Sequence, residues 1–572
     1  MVVKESKIKP IERFYRLLTQ DRKALVNLYI FALFAGVVSL SLPLGIQAII
    51  NLIVAGQTAT SFYVLIFIVV AGYGINSYLQ ILQISVVEVL QRRVFARSSF
   101  DFAFRAPRLS ALELRQFFAP ELMNRFFDTL TIQKGMPKIL IDFVGSSLQI
   151  IIGLILLCFY HPFFILFGLL SVLLVGFIVK IFSSRGLNTA LKQSKHKYEV
   201  AHWIEELART MDAFKLAGTT KLPLEKIDHY TSNYLHAREA HFRSLLGHYY
   251  SILVFKVVIT AIFLLLGGLL VIEQQMNIGQ FVAAEIIVIL LISNAEKLIF
   301  SLDSIYDMLT ALEKIGNVTD LPLENEGSID VPKVGGKGMS VSVQNLSFAF
   351  SDLHYILKDI SFDIAPGENV LITGSSGSGK HTLLHILVGM YSKFEGSVKI
   401  EDVSLRNVNI EQLRNEIGDN LARESIFHGT LLENISMGKP VSMERVLEVI
   451  KVVKLQNFLD RLENGLYTLL SPEGKRLSQS TKIKLLIARC IVHTPRLILL
   501  NENVNLIKLE ERLEILKYLH QREHGWTVIN LSNSTTYAKY YDSIIYLSKG
   551  ELMDIGPYDE VKGKGWFKEL LK

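Results

Sequence analysis

Six apolar stretches, near 26–51, 62–86, 139–160, 162–182, 249–272 and 279–300, approach or exceed the ~20 residues that a helix needs to cross a bilayer. Nothing else in the sequence restricts the fold as much. Backbone groups in hydrocarbon must satisfy one another, so spans of this length and composition can only be helices. The connections alternate. Leu52 to Ser61, the His161-Pro162 corner and Glu273 to Asn277 are short and carry no Lys or Arg. Those near 87–138 and 183–248 are long and basic, with Arg92, Arg93, Arg97 and Lys138 in the first and Arg185, Lys192, Arg238 and Arg243 in the second. The positive-inside rule therefore puts both long loops and both termini in the cytoplasm.

The long loops keep apolar residues three to four apart, as in Tyr198 to Leu207, which predicts transmembrane helices running on as cytoplasmic stalks. Pro107, Pro120 and Pro223 mark expected breaks. Polar residues inside or near the spans (Asn76, Gln80, Gln83, Asp142, Gln149, Lys256 and Glu285) are candidates for a substrate path or for packing between helices. Lys256 and Glu285 sit at depths about 15 Å apart, too far to pair within one chain. Two cysteines, Cys158 and Cys490, form no disulfide framework. A net charge of +6 without a basic cluster gives no reason to expect nucleic acid as a partner. The N-terminus lacks the pattern of a signal peptide.

Composition changes from Gly316 onward. Residues 316–339 are rich in Pro, Gly and acid and read as a linker, which gives a transmembrane domain at 1–315 and a second domain at 340–572. The second domain alternates short apolar strands with helical stretches, the pattern of an α/β nucleotide-binding domain. Its centre is Gly374-Ser375-Ser376-Gly377-Ser378-Gly379-Lys380-His381-Thr382, between a strand ending at Thr373 and a helix opening at Leu383. This is a phosphate-binding loop, with glycines to curl the backbone, a helix N-terminus to face the anion and Lys380 for the β/γ-phosphates. The position after the lysine, where Ser or Thr would ligate Mg²⁺, is His381.

Over nearly its whole length the chain resembles the ATP-binding-cassette (ABC) exporters, in the half-transporter form with six spans and one nucleotide domain. Asn345 to Phe350 resembles the strand whose last aromatic residue, Phe350, stacks on adenine. Ile417 to Ile435 resembles the glutamine-loop region, Leu477-Ser478 and the helix after it the signature, Leu497 to Glu502 the Walker B strand, and Thr527 to Asn533 the switch. Ser41 to Asn51 is more loosely similar to bacterial protein and peptide exporters.

The resemblance implies ATP or ADP as cofactor, held by Phe350, Gly374, Ser375, Gly377, Ser378, Gly379, Lys380, His381 and Thr382, with Ser478 as the retained signature residue and Glu502 at the general-base position. It also exposes departures. The family's metal ligands align with His381, Asn501 and Ala422, its switch histidine with Asn533, and its Leu-Ser-Gly-Gly-Gln signature reads Leu477-Ser478-Gln479-Ser480-Thr481. An imidazole, an amide and a methyl do not rebuild a six-oxygen Mg²⁺ site, so the Mg²⁺ site is expected to be lost. Glu502 then reads as a leftover carboxylate and hydrolysis as absent or very weak. With the phosphate charge facing Lys380 and backbone dipoles, modest affinity is expected.

By resemblance the chain works as a dimer in a bacterial inner membrane. One reading pairs it with an intact half-transporter in an export system for protein, peptide or lipid-like substrate, with a periplasmic adaptor if that system secretes protein. The alternative is a homodimeric, non-hydrolytic receptor, regulator or scaffold. Membrane lipid surrounds either form.

Overall fold

The computed structural model describes residues 9–56, 60–324, 327–332, 338–350, 354–421, 426–533 and 535–569. They form two compact units: one contains the chain up to Arg108 and Phe117–Leu321, the other Leu109–Gln116 and the chain from Pro322 onward. The short segment Leu109–Gln116 thus packs with the second unit, although it lies within the sequence range expected for the membrane domain. Its Ser110 N–H donates to the Pro322 carbonyl at 3.0 Å, and Leu112 rests against the second unit's core.

Among the described residues of the first unit, six helical segments are long and apolar enough to cross a membrane. Several extend well beyond a bilayer. Phe163–Arg209 has 47 residues and Leu222–Ile272 has 51, about 75 Å for the latter at ~1.5 Å per residue. The helices run on past their apolar stretches, as expected, and the prolines mark ends: Pro107 follows the helix Thr60–Arg105, Pro120 starts a short helix and Pro223 opens Leu222–Ile272.

The first span is not one helix. It divides into Arg22–Ser39 and Ser41–Val54. Pro43 has no N–H to donate, and its ring would crowd the carbonyl of Ser39 in a continuous helix, so the ladder breaks there. The third span opens with a π-helical stretch, Lys138–Phe143, directly after Pro137.

The second unit is built on a six-stranded sheet whose order is Glu551–Gly556, Ser543–Ser548, Asn369–Gly374, Thr527–Leu531, Leu497–Leu500, Ile417–Asp419. All pairings are parallel except the one to Glu551–Gly556. Every residue of Asn369–Gly374, Leu497–Leu500 and Thr527–Leu531 is buried, as expected of strands covered on both faces. A four-stranded antiparallel sheet, in the order Tyr355–Ile364, Val341–Ala349, Glu395–Ile400, Val403–Ser404, packs beside it. Tyr355–Ile364 was not anticipated from the sequence. Register shifts against Val341–Ala349 and a positive φ at Asp359 break its period of two, which hides the strand.

Candidate functional site

The phosphate-binding loop leaves the end of the central strand Asn369–Gly374 and runs into the helix Lys380–Leu387. Two glycines are fixed by geometry. At Gly374 (φ +152°) a Cβ would lie 2.0 Å from the carbonyl oxygen of Leu547. Gly379 caps the helix with φ +91°, and a Cβ there would lie 2.5 Å from Leu357. Ser378 is buried beneath the loop, whereas Ser375 and Gly377 are exposed, as is His381, and Thr382 is partly buried.

Lys380 is 4% exposed. Its Nζ donates to the carbonyls of Gly374 at 2.6 Å and Ser375 at 3.0 Å, and lies 3.4 Å from Glu502 Oε1. Burial holds the Lys380 pKa below the ordinary lysine value, against the opposing pull of Glu502. The lysine and the carboxylate from the general-base position are thus one ion pair.

A cavity of about 630 Å³ opens on the loop, lined by Gly377 to Thr382 and also by His354, Lys358 and Lys549. Among the described residues, Lys380 is therefore one of three lysines on this cavity. Strand Ser543–Ser548 runs parallel to Asn369–Gly374 with Leu547 opposite Gly374, which delivers Lys549 to the loop. The Lys358 N–H donates to the Gly550 carbonyl at 2.7 Å and brings a third ammonium alongside. These residues were missed because they lie about 20 residues before and 170 after the loop. Only Lys549, beside the Gly550 turn, carried a local signal.

At the expected metal position Asn501 is 3% exposed and fully engaged. Its Nδ2 donates to the backbone carbonyl of Asn420 at 2.9 Å, and its Oδ1 accepts from the Asn503 N–H at 3.0 Å. The Asn420 Oδ1 accepts from the Asn501 N–H at 2.7 Å, and Asn420 Nδ2 is a buried donor without a partner among the described residues. An aspartate could not donate to that carbonyl. Both side-chain oxygens here already accept backbone N–H groups, and neutral amides stand where the expected metal site would have a carboxylate. Ala422 lies outside the described residues.

Phe350 stands in a cluster with Phe348 and Tyr391, each meeting it edge to face at 4.9 and 5.3 Å. The guanidinium of Arg115, on the segment Leu109–Gln116 of the same unit, lies 3.3 Å from the ring centroid. Ser478 caps the helix Gln479–Ile491 by accepting from the Thr481 N–H at 3.1 Å, and its Oγ is 2.8 Å from Thr481 Oγ1. Asn533 Oδ1 is buried with no hydrogen-bond partner among the described residues.

In the membrane unit Lys256 does not pair with Glu285. Its Nζ lies 2.5 Å from Glu296 on the following span, a carboxylate the sequence reading had not weighed. Asp142 pairs with Lys138 at 2.9 Å, four residues earlier on the same helical segment. An apolar cavity of about 390 Å³ lies among the third to sixth spans.

A bundle of membrane-length helices joined to a phosphate-loop domain defines an integral, multi-pass membrane protein with a nucleotide-binding domain. Comparison with known proteins makes the class specific. Residues 25–294 match the model of the ABC transporter transmembrane region, and residues 357–505 match the ABC transporter nucleotide-domain model. The chain belongs to the ABC transporters, in the exporter half-transporter form, and carries an ATP-binding domain.

Among its relatives, the leukotoxin export ATP-binding protein LtxB of Aggregatibacter actinomycetemcomitans is 28% identical over 299 residues, covering 52% of this chain and 42% of that protein. The uncharacterized ABC transporter ATP-binding protein YwjA of Bacillus subtilis is 26% identical over 314 residues, 54% of this chain and 55% of its own. The matched stretches thus cover about half the length of these relatives. A solved bacterial Atm1-family ABC exporter with ATP bound shares the fold, with TM-score 0.84, 19% identity, and coverage of 96% of this chain and 97% of that one.

Proposed function

We propose that this chain is the hydrolytically silent subunit of an export system, binding nucleotide without turning it over and paired with a catalytically competent half-transporter. The observation that carries this reading is Asn501, whose amide is closed onto Asn420 where a metal-binding carboxylate is required. His381 in the loop and Asn533 at the switch point the same way. Phe350, Gly374 to Gly379, Lys380 and Thr382 would hold ATP or ADP, Ser478 would be the retained signature contact, and Glu502 serves Lys380 rather than a water.

Basic long loops support a cytoplasmic nucleotide domain and termini, and bacterial relatives support an inner membrane. Relatives named for leukotoxin export favour a protein or peptide substrate and an adaptor partner. The apolar cavity among the spans favours a lipid-like one.

The test is co-purification with a half-transporter that has intact motifs. Vanadate-sensitive ATPase in the pair, and none in this chain alone, is the expected result. Mg²⁺-dependent turnover by this chain alone, abolished by Glu502→Gln, would overturn it. A second reading, a homodimeric receptor or scaffold, is favoured by the signature. Ser478 is engaged by Thr481 and Gln479 replaces a glycine, so a partner's site would be impaired as well.

A further inference from the structure

We infer that the pocket over the phosphate loop recognises a polyphosphate chain by charge alone, without a metal ion and without reading the base. The inference rests on the nucleotide-binding reading above and specifies its ligand class.

Three observations lead to it. The first is the charge of the wall. Lys358, Lys380 and Lys549 line one cavity together with His354 and His381, and among the described residues no Asp or Glu lines it. Lys380 has a carboxylate neighbour behind the loop in Glu502, and Lys358 lies 3.7 Å from Glu551 with both side chains about half exposed, a pair that solvent screens. Lys549 makes no ion pair among the described residues. Lys358, Lys549 and a helix N-terminus, joined by Lys380 when phosphate displaces Glu502, supply the counter-charge that Mg²⁺ would otherwise bring to a triphosphate.

The second is the inverted chemistry beside the loop. The Asn501 amide is spent on Asn420 and Asn503, and Asn420 Nδ2 is an unpartnered donor in a residue 2% exposed. A cation gains nothing from donors, so binding here does not depend on a metal.

The third is the base platform. Arg115 covers Phe350 at 3.3 Å, so a guanidinium already holds a cation–π contact on one face of the ring that the family resemblance assigns to adenine stacking. Phe350 is not among the residues that line the cavity, and the tyrosine that does, Tyr355, has its hydroxyl tied to Glu395 at 3.0 Å.

The experiment is equilibrium binding of ATP, GTP and inorganic tripolyphosphate to the purified full-length chain in lipid nanodiscs, with EDTA and then with excess Mg²⁺. Dissociation constants within about threefold of one another, insensitive to EDTA, are expected. The double variant Lys358→Gln/Lys549→Gln should weaken all three about tenfold, since each exposed ion pair contributes a factor of a few. Arg115→Ala should raise ATP affinity relative to tripolyphosphate by uncovering Phe350. The inference is overturned if ATP binds more than tenfold tighter than both GTP and tripolyphosphate, if EDTA abolishes binding, or if Arg115→Ala weakens ATP alone. In each of those cases the nucleotide-binding reading stands. Absence of binding by all three ligands removes that reading and the inference with it.

Discussion

Lys380 Nζ lies 3.4 Å from Glu502 Oε1, so the loop lysine and the carboxylate at the general-base position neutralise each other. Lys380 is 4% exposed and its other contacts are uncharged oxygens, which makes Glu502 its charged partner in the structure. A phosphate arriving at the loop competes with that carboxylate. Glu502→Gln is therefore expected to tighten nucleotide binding, by about three- to tenfold, while hydrolysis stays at background in both proteins. Titration calorimetry with and without Mg²⁺ measures the first and phosphate release the second. Unchanged or weaker binding in the variant would show that Glu502 does not compete.

Asn501→Asp is the obvious attempt to restore a metal ligand, and the expected outcome is damage. The carboxylate would face the Asn420 carbonyl at a position 3% exposed, losing the donated hydrogen bond and burying a charge. A cost of about 1–3 kcal/mol follows from leaving that acceptor unsatisfied. Thermal unfolding of the variant should shift down by several degrees, and added Mg²⁺ should not recover the loss because His381 still occupies the neighbouring ligand position. A variant as stable as the parent would contradict the assigned role of the amide.

The Lys256–Glu296 pair joins the fifth and sixth spans at 2.5 Å, with each side chain roughly one-third exposed. Neutralising either residue alone leaves a charge at membrane depth, whereas neutralising both leaves none. Lys256→Gln and Glu296→Gln should each lower detergent-resistant thermal stability, with a coupling on the order of 1 kcal/mol, and the double variant should recover most of it. Additive losses in the double-mutant cycle would rule out a direct pair.

His520 gives the nucleotide domain an acid-sensitive element. Burial depresses its pKa to about 4, and its Nε2 is buried without a hydrogen-bond partner among the described residues. The unfolded chain binds this proton below about pH 6.5 and the folded chain only near pH 4. The neutral-histidine fold is thus at full stability above about pH 6.5 and loses up to about 3 kcal/mol as the pH falls toward 4. Denaturant unfolding across that range, compared with His520→Leu, checks it. The variant should show the shallower dependence, and identical slopes would remove His520 as the source.

Much of this protein was legible in one dimension because its signals are local. Apolar length and the placement of arginine read out the spans, since a bilayer imposes a fixed thickness and a charge cost on contiguous residues. The loop from Gly374 to Thr382 also declared itself, because strand, turn and helix N-terminus are consecutive in the chain. The substitutions at His381, Asn501 and Asn533 could be counted from the sequence.

Their consequences could not. That Asn501 turns its amide onto Asn420 depends on the parallel pairing of Leu497–Leu500 with Ile417–Asp419, which brings residues 81 apart into hydrogen-bond range. The arrival of Lys549 at the loop depends on strand Ser543–Ser548 pairing with Asn369–Gly374. Arg115 reaches Phe350 only because its segment packs with the second unit. Helix length, charge and loop chemistry are properties of neighbouring residues, and the sequence alone determined them. Which charges share a cavity and which donor meets which carbonyl follow from sheet pairing and long-range packing, and only the tertiary structure decided those.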